Sequence, residues 1–285
     1  GEDTGSRLPR QLPGLDGLPS NSYELPDGTI TNDINLVNRI TQEIVADDEL
    51  RELQGAVRIG EDINGIQLAT RAGKIYRFQF NAGERTGEFV ELTSGDMYTI
   101  EEDIGGQDYQ IGYQINDNGR PVVDNILIGD QTHDITPNQH RLLRQTLRED
   151  DGVSVSRNGD IVINRFSTTP QGDPSSDDFR TSTTVTTINI DSTGSVQSEI
   201  STETRDSNNN QISKTVEERS SDGSRKIETF GGNNQLEKIS YIAPNGQTLE
   251  VNNELFVTIS TQYGTETDRI LSAAAQEGFK NPSVN

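Results

Sequence analysis

The chain contains no cysteine and no tryptophan, one methionine and two histidines. Without cysteine there is no disulfide framework, no thiolate metal site and no thiol nucleophile, and nothing ties the chain to an oxidising or a reducing compartment. Aromatic residues are 5% of the total, which argues against the stacking platforms that hold sugars or unpaired bases. Hydrophobic residues are 29%, and adding the 27 glycines still leaves the chain short of the roughly 45–50% of ordinary globular proteins. Its cores should therefore be thin. Basic side chains are also scarce, 24 against 46 acidic ones, for a formal net charge of −22. Binding a phosphate backbone depends on clustered Lys and Arg, so no nucleic-acid partner is expected. The acidity favours solubility and cationic counterions instead. No apolar stretch approaches the roughly 20 residues of a membrane-spanning helix, so no membrane insertion is expected.

Familiar catalytic patterns are missing too. The sequence has no Gly-x-Ser-x-Gly elbow, no phosphate-cradling Gly-Lys loop, no Gly-x-Gly-x-x-Gly and no His-Glu-x-x-His. Acidic clusters occur at Glu101-Glu102-Asp103, Glu149-Asp150-Asp151 and Asp177-Asp178, but adjacency in sequence does not set two carboxyl groups across a cleft, as glycoside hydrolysis requires. The two histidines, His133 and His140, could hold a metal with Asp130 or Asp134, or one could serve as a base. His133 lies in a loop and His140 in the first turn of a helix, which argues against a joint site. No enzymatic activity and no cofactor are expected. The sequence has no Asn-x-Ser/Thr acceptor for N-linked glycosylation, and a start at Gly1 without a signal-like apolar segment suggests a processed or trimmed N-terminus.

What is present is a chain that still folds, because Leu, Ile, Val and Phe exceed the roughly one-fifth of residues below which disorder is the default. Residues 1–30 carry Leu-Pro four times. Proline fixes φ and pushes its predecessor out of the helical region, so this segment should be an extended arm. Its leucines Leu8, Leu12, Leu15, Leu18 and Leu25 are candidates for docking on a neighbouring subunit.

Residues 31–151 read as one compact unit. Leu36, Val37, Ile40, Ile44, Leu50 and Leu53 sit near helical spacing over 31–55, with a break near Asp47 and Asp48. From Ala56 the period becomes two, and short strands alternate with glycine turns. In "KIYRFQF", Tyr76, Phe78 and Phe80 share one face, the strongest core signal in the chain. Near the end of the unit, Thr136, Pro137 and Gln139 make a capping-box helix start, with Leu142, Leu143 and Leu147 as its buried stripe.

Residues 152–285 read as a polar β-meander with a C-terminal helix. A hairpin turns at Asn158-Gly159, "STTPQGDPSSDD" is a linker, and a series of strands follows, ending with "ELFVTISTQY". "GTETDRILSAAAQEGF" is the terminal helix. Val196, Ile200, Ile212 and Val216 are the apolar positions of a half-apolar sheet face, too thin to stand alone at about 25 cal/mol per Å² of buried surface.

One stretch imitates a metal site. "DSNNNQISKTVEE" puts Asp206, Asn208, Asn210 and Glu217 at ligand positions of a helix-loop-helix calcium loop. Its sixth position is Gln211 rather than glycine, and both flanks alternate with period two. A hairpin turn and its second strand account for it, and no bound metal is expected.

The sequence therefore predicts a mainly β protein with minor helix: an extended N-terminal arm, an antiparallel β domain with short helices, and an elongated antiparallel β-meander. The function expected is structural. The chain would be a self-assembling component of a virion, as a phage-type capsid or tail protein, or of an extracellular filament, with copies of itself and other structural subunits as partners. The alternative is a surface adhesin or carbohydrate-binding module, with a cation as a possible aid.

Overall fold

The computed structural model describes residues 8–13, 19–44, 57–64, 66–80 and 87–278. The protein is mainly β, with short helices. It divides into two compact units, Gly1–Glu149 and Asp150–Asn285.

Among the described residues, the first unit contains two sheets. Strands β1 (Arg10–Pro13), β2 (Pro19–Glu24), β3 (Ile30–Thr31), β4 (Val57–Glu61), β5 (Gln67–Arg71), β6 (Lys74–Phe80) and β7 (Gly87–Glu91) form a seven-stranded sheet in the order β3-β2-β1-β4-β5-β6-β7. The extended Leu-Pro segment is thus built into this unit: β1 pairs antiparallel with β2 and parallel with β4 through Arg10 and Arg58. Pro13 and Pro19 stand opposite each other at the last position of β1 and the first of β2, strand ends where a missing N–H disturbs the ladder least. Helix α1 (Ile34–Ile44) lies between β3 and β4 in sequence; the expected break at Asp47 and Asp48, and Leu50 and Leu53, lie outside the described residues.

The second sheet has the order β11-β10-β9-β8, from β8 (Met97–Ile104), β9 (Gln107–Ile115), β10 (Pro121–Ile128) and β11 (Gln131–Asp134). Leu68, Ile75 and Leu92 from the seven-stranded side meet Tyr98 and Ile115 in a common core. The expected core face of β6 is described only at Tyr76, and it is the opposite face, at Ile75, that enters this core. Ile75 is buried, whereas Tyr76, on the opposite face, is half-exposed with the Arg71 guanidinium 5.1 Å above its ring. The Phe78 and Phe80 side chains lie outside the described set.

Helix α2 (Pro137–Thr146) begins as its sequence dictates. Gln139 N donates to Thr136 Oγ1 at 3.2 Å, and Thr136 N donates to Gln139 Oε1 at 3.1 Å, satisfying two N–H groups that a helix start otherwise leaves open.

The second unit is an eight-stranded antiparallel meander in strict sequence order: β12 (Gly152–Val155), β13 (Ile161–Gln171), β14 (Arg180–Ile190), β15 (Val196–Arg205), β16 (Gln211–Arg219), β17 (Arg225–Gly231), β18 (Leu236–Ile242) and β19 (Thr248–Asn252). The expected linker is shorter than its composition suggests, since β13 runs through Pro170 to Gln171 and pairs with β14 along its whole length. One turn design recurs at 156–160, 191–195, 206–210, 220–224, 231–235 and 243–247. The first N–H bonds the fifth carbonyl, and the fourth N–H bonds the first carbonyl. The fourth residue is left-handed, filled by Gly159, Gly194, Asn209, Gly223, Asn234 and Gly246, the residues that bear positive φ at least cost.

"ELFVTISTQY" is not a strand. It forms α3 (Asn253–Tyr263), capped by Asn252 Oδ1 accepting from Leu255 N at 2.8 Å. Its β-branched residues favour extended structure, but the Asn252 cap starts a helix, and Leu255, Phe256 and Ile259 then pack on the end of the sheet. A 3-10 turn, Gly264–Glu266, leads into α4 (Thr267–Gln276). Leu271 and Ala275 of α4 close a small core over Ile239, Tyr241, Leu249 and Val251.

Candidate functional site

Antiparallel partners that stand directly opposite place their side chains on one face of the sheet. In the second unit, Phe166 pairs with Val185, Val185 with Ser201, and Ser201 with Val216. The row continues through Glu228 to Ile239 and Val251. Ile239 and Val251 are buried, as parts of the core closed by α4, but Phe166 is 68% and Val185 43% exposed. One cross-strand row is therefore covered at its β18–β19 end and open at its β13–β16 end. Flanking it on the same face are Glu203 opposite Lys214, and Glu218 opposite Lys226.

The other face of these strands is hydroxylic. Thr184, Thr202, Thr215 and Thr229 stand in register across four strands, and Thr184 Oγ1 lies 3.2 Å from Thr202 Oγ1. Such pairs stabilise a sheet by a few tenths of a kcal/mol to about 1 kcal/mol each.

This register corrects the expected sheet face. Ile200 is opposite Glu217, and Ser201 is opposite Val216, so Val216 lies on the face away from Ile200. Val196 shares the Ile200 face, two steps along alternating positions of β15. Ile212 sits at a β-bulge, where Arg205 pairs with Gln211 and Thr204 with Ser213, and is exposed. The four positions do not form one surface, and the open apolar row belongs to Phe166, Val185 and Val216.

The arm leucines also resolve. Leu8 and Leu25 are 3% and 7% exposed within the single chain, so no second copy is needed to cover them. Leu12 is half-buried. Leu15 and Leu18 lie outside the described residues.

Asp206 is a turn residue. Its Oδ1 accepts from Asn208 N and Asn210 N, both at 2.9 Å, and these backbone bonds, with Asn210 the larger contributor, hold its carboxyl below the usual range. Glu217 is elsewhere, paired with Arg225 at 2.8 Å and Arg219 at 3.2 Å. Among the described residues no group of three or more His, Cys, Asp or Glu side chains could hold a metal ion.

His133 and His140 do not act together. His133 pairs with Ile126 in the β10–β11 ladder, while His140 points from α2 to Glu102 of β8. A buried ionic cluster forms there. His140 Nε2 is 3.1 Å from Glu102 Oε2, and Arg144 Nε stands 3.3 Å from the same ring nitrogen. Arg144 Nη2 bonds the same oxygen and the Tyr113 hydroxyl donates to Oε1. Glu102, His140 and Arg144 side chains are each at least nine-tenths buried. Burial alone would raise the Glu102 carboxyl, but the hydrogen bond and charge of His140, the charge of Arg144 and the Tyr113 hydroxyl outweigh it and hold the group down to about 2. So weak a base, its oxygens already engaged, is mismatched to proton abstraction near neutral pH. The cluster fastens α2 to the sheet. Tyr113 stacks on Tyr98 with ring centroids 5.2 Å apart, and burial followed by the Glu102 charge pushes both phenols up.

The chain matches no protein-family model and no curated protein. Among the described residues no helix is long and apolar enough to cross a membrane.

Proposed function

We propose that the protein is a structural subunit that assembles with copies of itself, as a component of a virion or an extracellular filament. The observation that carries this reading is the apolar row Phe166–Val185–Ser201–Val216, continuous in register with Ile239 and Val251, which are core residues, yet left open in the single chain. An exposed apolar surface rimmed by polar residues marks an interaction site. A second copy is the occupant its chemistry suits. The flanking rows carry both signs, Glu203 beside Lys214 on one side and Glu199 and Glu218 beside Lys226 on the other, so a two-fold related copy can set Glu203 against Lys214 across the seam.

The mass of the chain in solution tests the reading. Light scattering should show a dimer or larger species, and the double change Phe166→Ser and Val185→Ser should return it to a monomer with its thermal unfolding intact. A native chain that stays monomeric at high concentration would overturn it.

A further inference from the structure

The first unit contains a cavity of about 360 Å³ beside the Glu102 cluster, bounded by residues of β1, β4, β5, β6, β8 and β9. We propose that it binds a small, flat, mainly apolar molecule bearing a single carboxylate, with Arg10 receiving the charged end. This site is separate from the assembly surface of the second unit, and either proposal can fail without the other.

The walls define the body of the ligand. Leu12, Ile59, Ile75 and Ile100 supply aliphatic surface, and the stacked pair Tyr98 and Tyr113 supplies a flat one. Pockets of this size and character hold small ligands, with a few placed polar groups fixing orientation. Here the placed group is Arg10. Arg10 lines the cavity, and its Nε has no hydrogen-bond partner within the chain, so the guanidinium is not already committed through that edge. A guanidinium fork matches a carboxylate in shape as well as charge.

The remaining charges set the selectivity. Arg144 is engaged by Glu102, and Asp103 Oδ1 accepts from Gly106 N at 2.9 Å, so these groups are committed to the fold. Glu101, Glu102 and Asp103 nevertheless all border the cavity. A second negative charge on the ligand would face three carboxylates, which favours a monoanion over a phosphate or a dicarboxylate.

The test uses the full chain and three naphthalene probes: 2-naphthoate, neutral 2-naphthol, and the 2,6-dicarboxylate. With no tryptophan and seven tyrosines in the sequence, the part of the tyrosine emission that the ligand changes is assigned by comparison with a Tyr98→Phe chain, and equilibrium dialysis gives the stoichiometry. One equivalent of 2-naphthoate should bind, and bind more tightly than the dicarboxylate. Arg10→Met should weaken 2-naphthoate about tenfold or more while leaving 2-naphthol unchanged. Ile100→Phe, which fills the cavity, should abolish both; if that variant does not fold, Thr70→Leu, which enlarges another lining residue, replaces it and should weaken both. Absence of saturable 2-naphthoate binding, or equal affinity in the native and Arg10→Met chains, would overturn the proposal.

Discussion

His140 Nε2 stands 3.1 Å from Glu102 Oε2 across 38 residues of sequence, joining the first turn of α2 to the middle of β8. Removing one member of a buried, hydrogen-bonded charge set leaves the others uncompensated, a change that costs about 3–5 kcal/mol. Glu102→Gln should lower the urea-unfolding free energy of the chain by that amount at neutral pH. A midpoint equal to that of the native protein would mean that α2 is held by its apolar contacts alone.

The same carboxylate predicts an acid limit. A glutamate held at about 2, against an ordinary 4.5, binds its proton more readily in the unfolded chain. Its contribution to stability is fully present above about 4.5, declines as pH falls, and is lost once pH passes about 2. The difference amounts to something on the order of 3 kcal/mol. The unfolding free energy measured between pH 6 and about 2 should fall with pH across this window, and the Glu102→Gln chain should show a shallower dependence.

Asn209 and Asn234 occupy left-handed positions, φ +66° and +60°, that glycine fills in the sister turns. Asn209→Gly should be neutral or slightly stabilising, whereas Asn209→Val, β-branched at positive φ, should destabilise by about 1–3 kcal/mol. Thermal melts of the two variants suffice; equal melts would show that this turn does not report on the stability of the meander.

Association of the sheet faces must overcome a net charge of −22 per chain. Long-range repulsion of this kind is screened within about 8 Å at physiological ionic strength. The assembled fraction should therefore rise between low and moderate salt, as followed by sedimentation velocity. A fraction that falls steadily with salt would place charge pairs, rather than Phe166 and Val185, at the centre of the contact.

Local chemistry made much of this fold legible. The Thr136–Gln139 box fixed the start of α2, and the Asn/Asp/Gly runs fixed the meander turns, because each acts within five residues. Register was not legible. Whether Val216 shares a face with Ile200 or with Phe166 depends on how β15 and β16 align, which a bulge at Thr204 and Arg205 helps decide. The residues of α3 alternate like a strand, and their helical state rests on the Asn252 cap and on contacts with β18 and β19. The Glu102 cluster left only a faint trace: His140 and Arg144 share a helix face, and Glu102 is one acid among three in a row. What joins them is tertiary.

Six of the seven hairpins of the second unit are closed by the same self-contained turn, β13 and β14 being joined by a longer loop, and the middle strands touch little beyond the strands on either side. A ribbon of this kind behaves like a ladder in which rungs can be counted off. Its reach is a property of how many times one motif has been written, so lineages could lengthen or shorten it by whole hairpins while leaving the helical cap at Leu271 and Ala275 untouched.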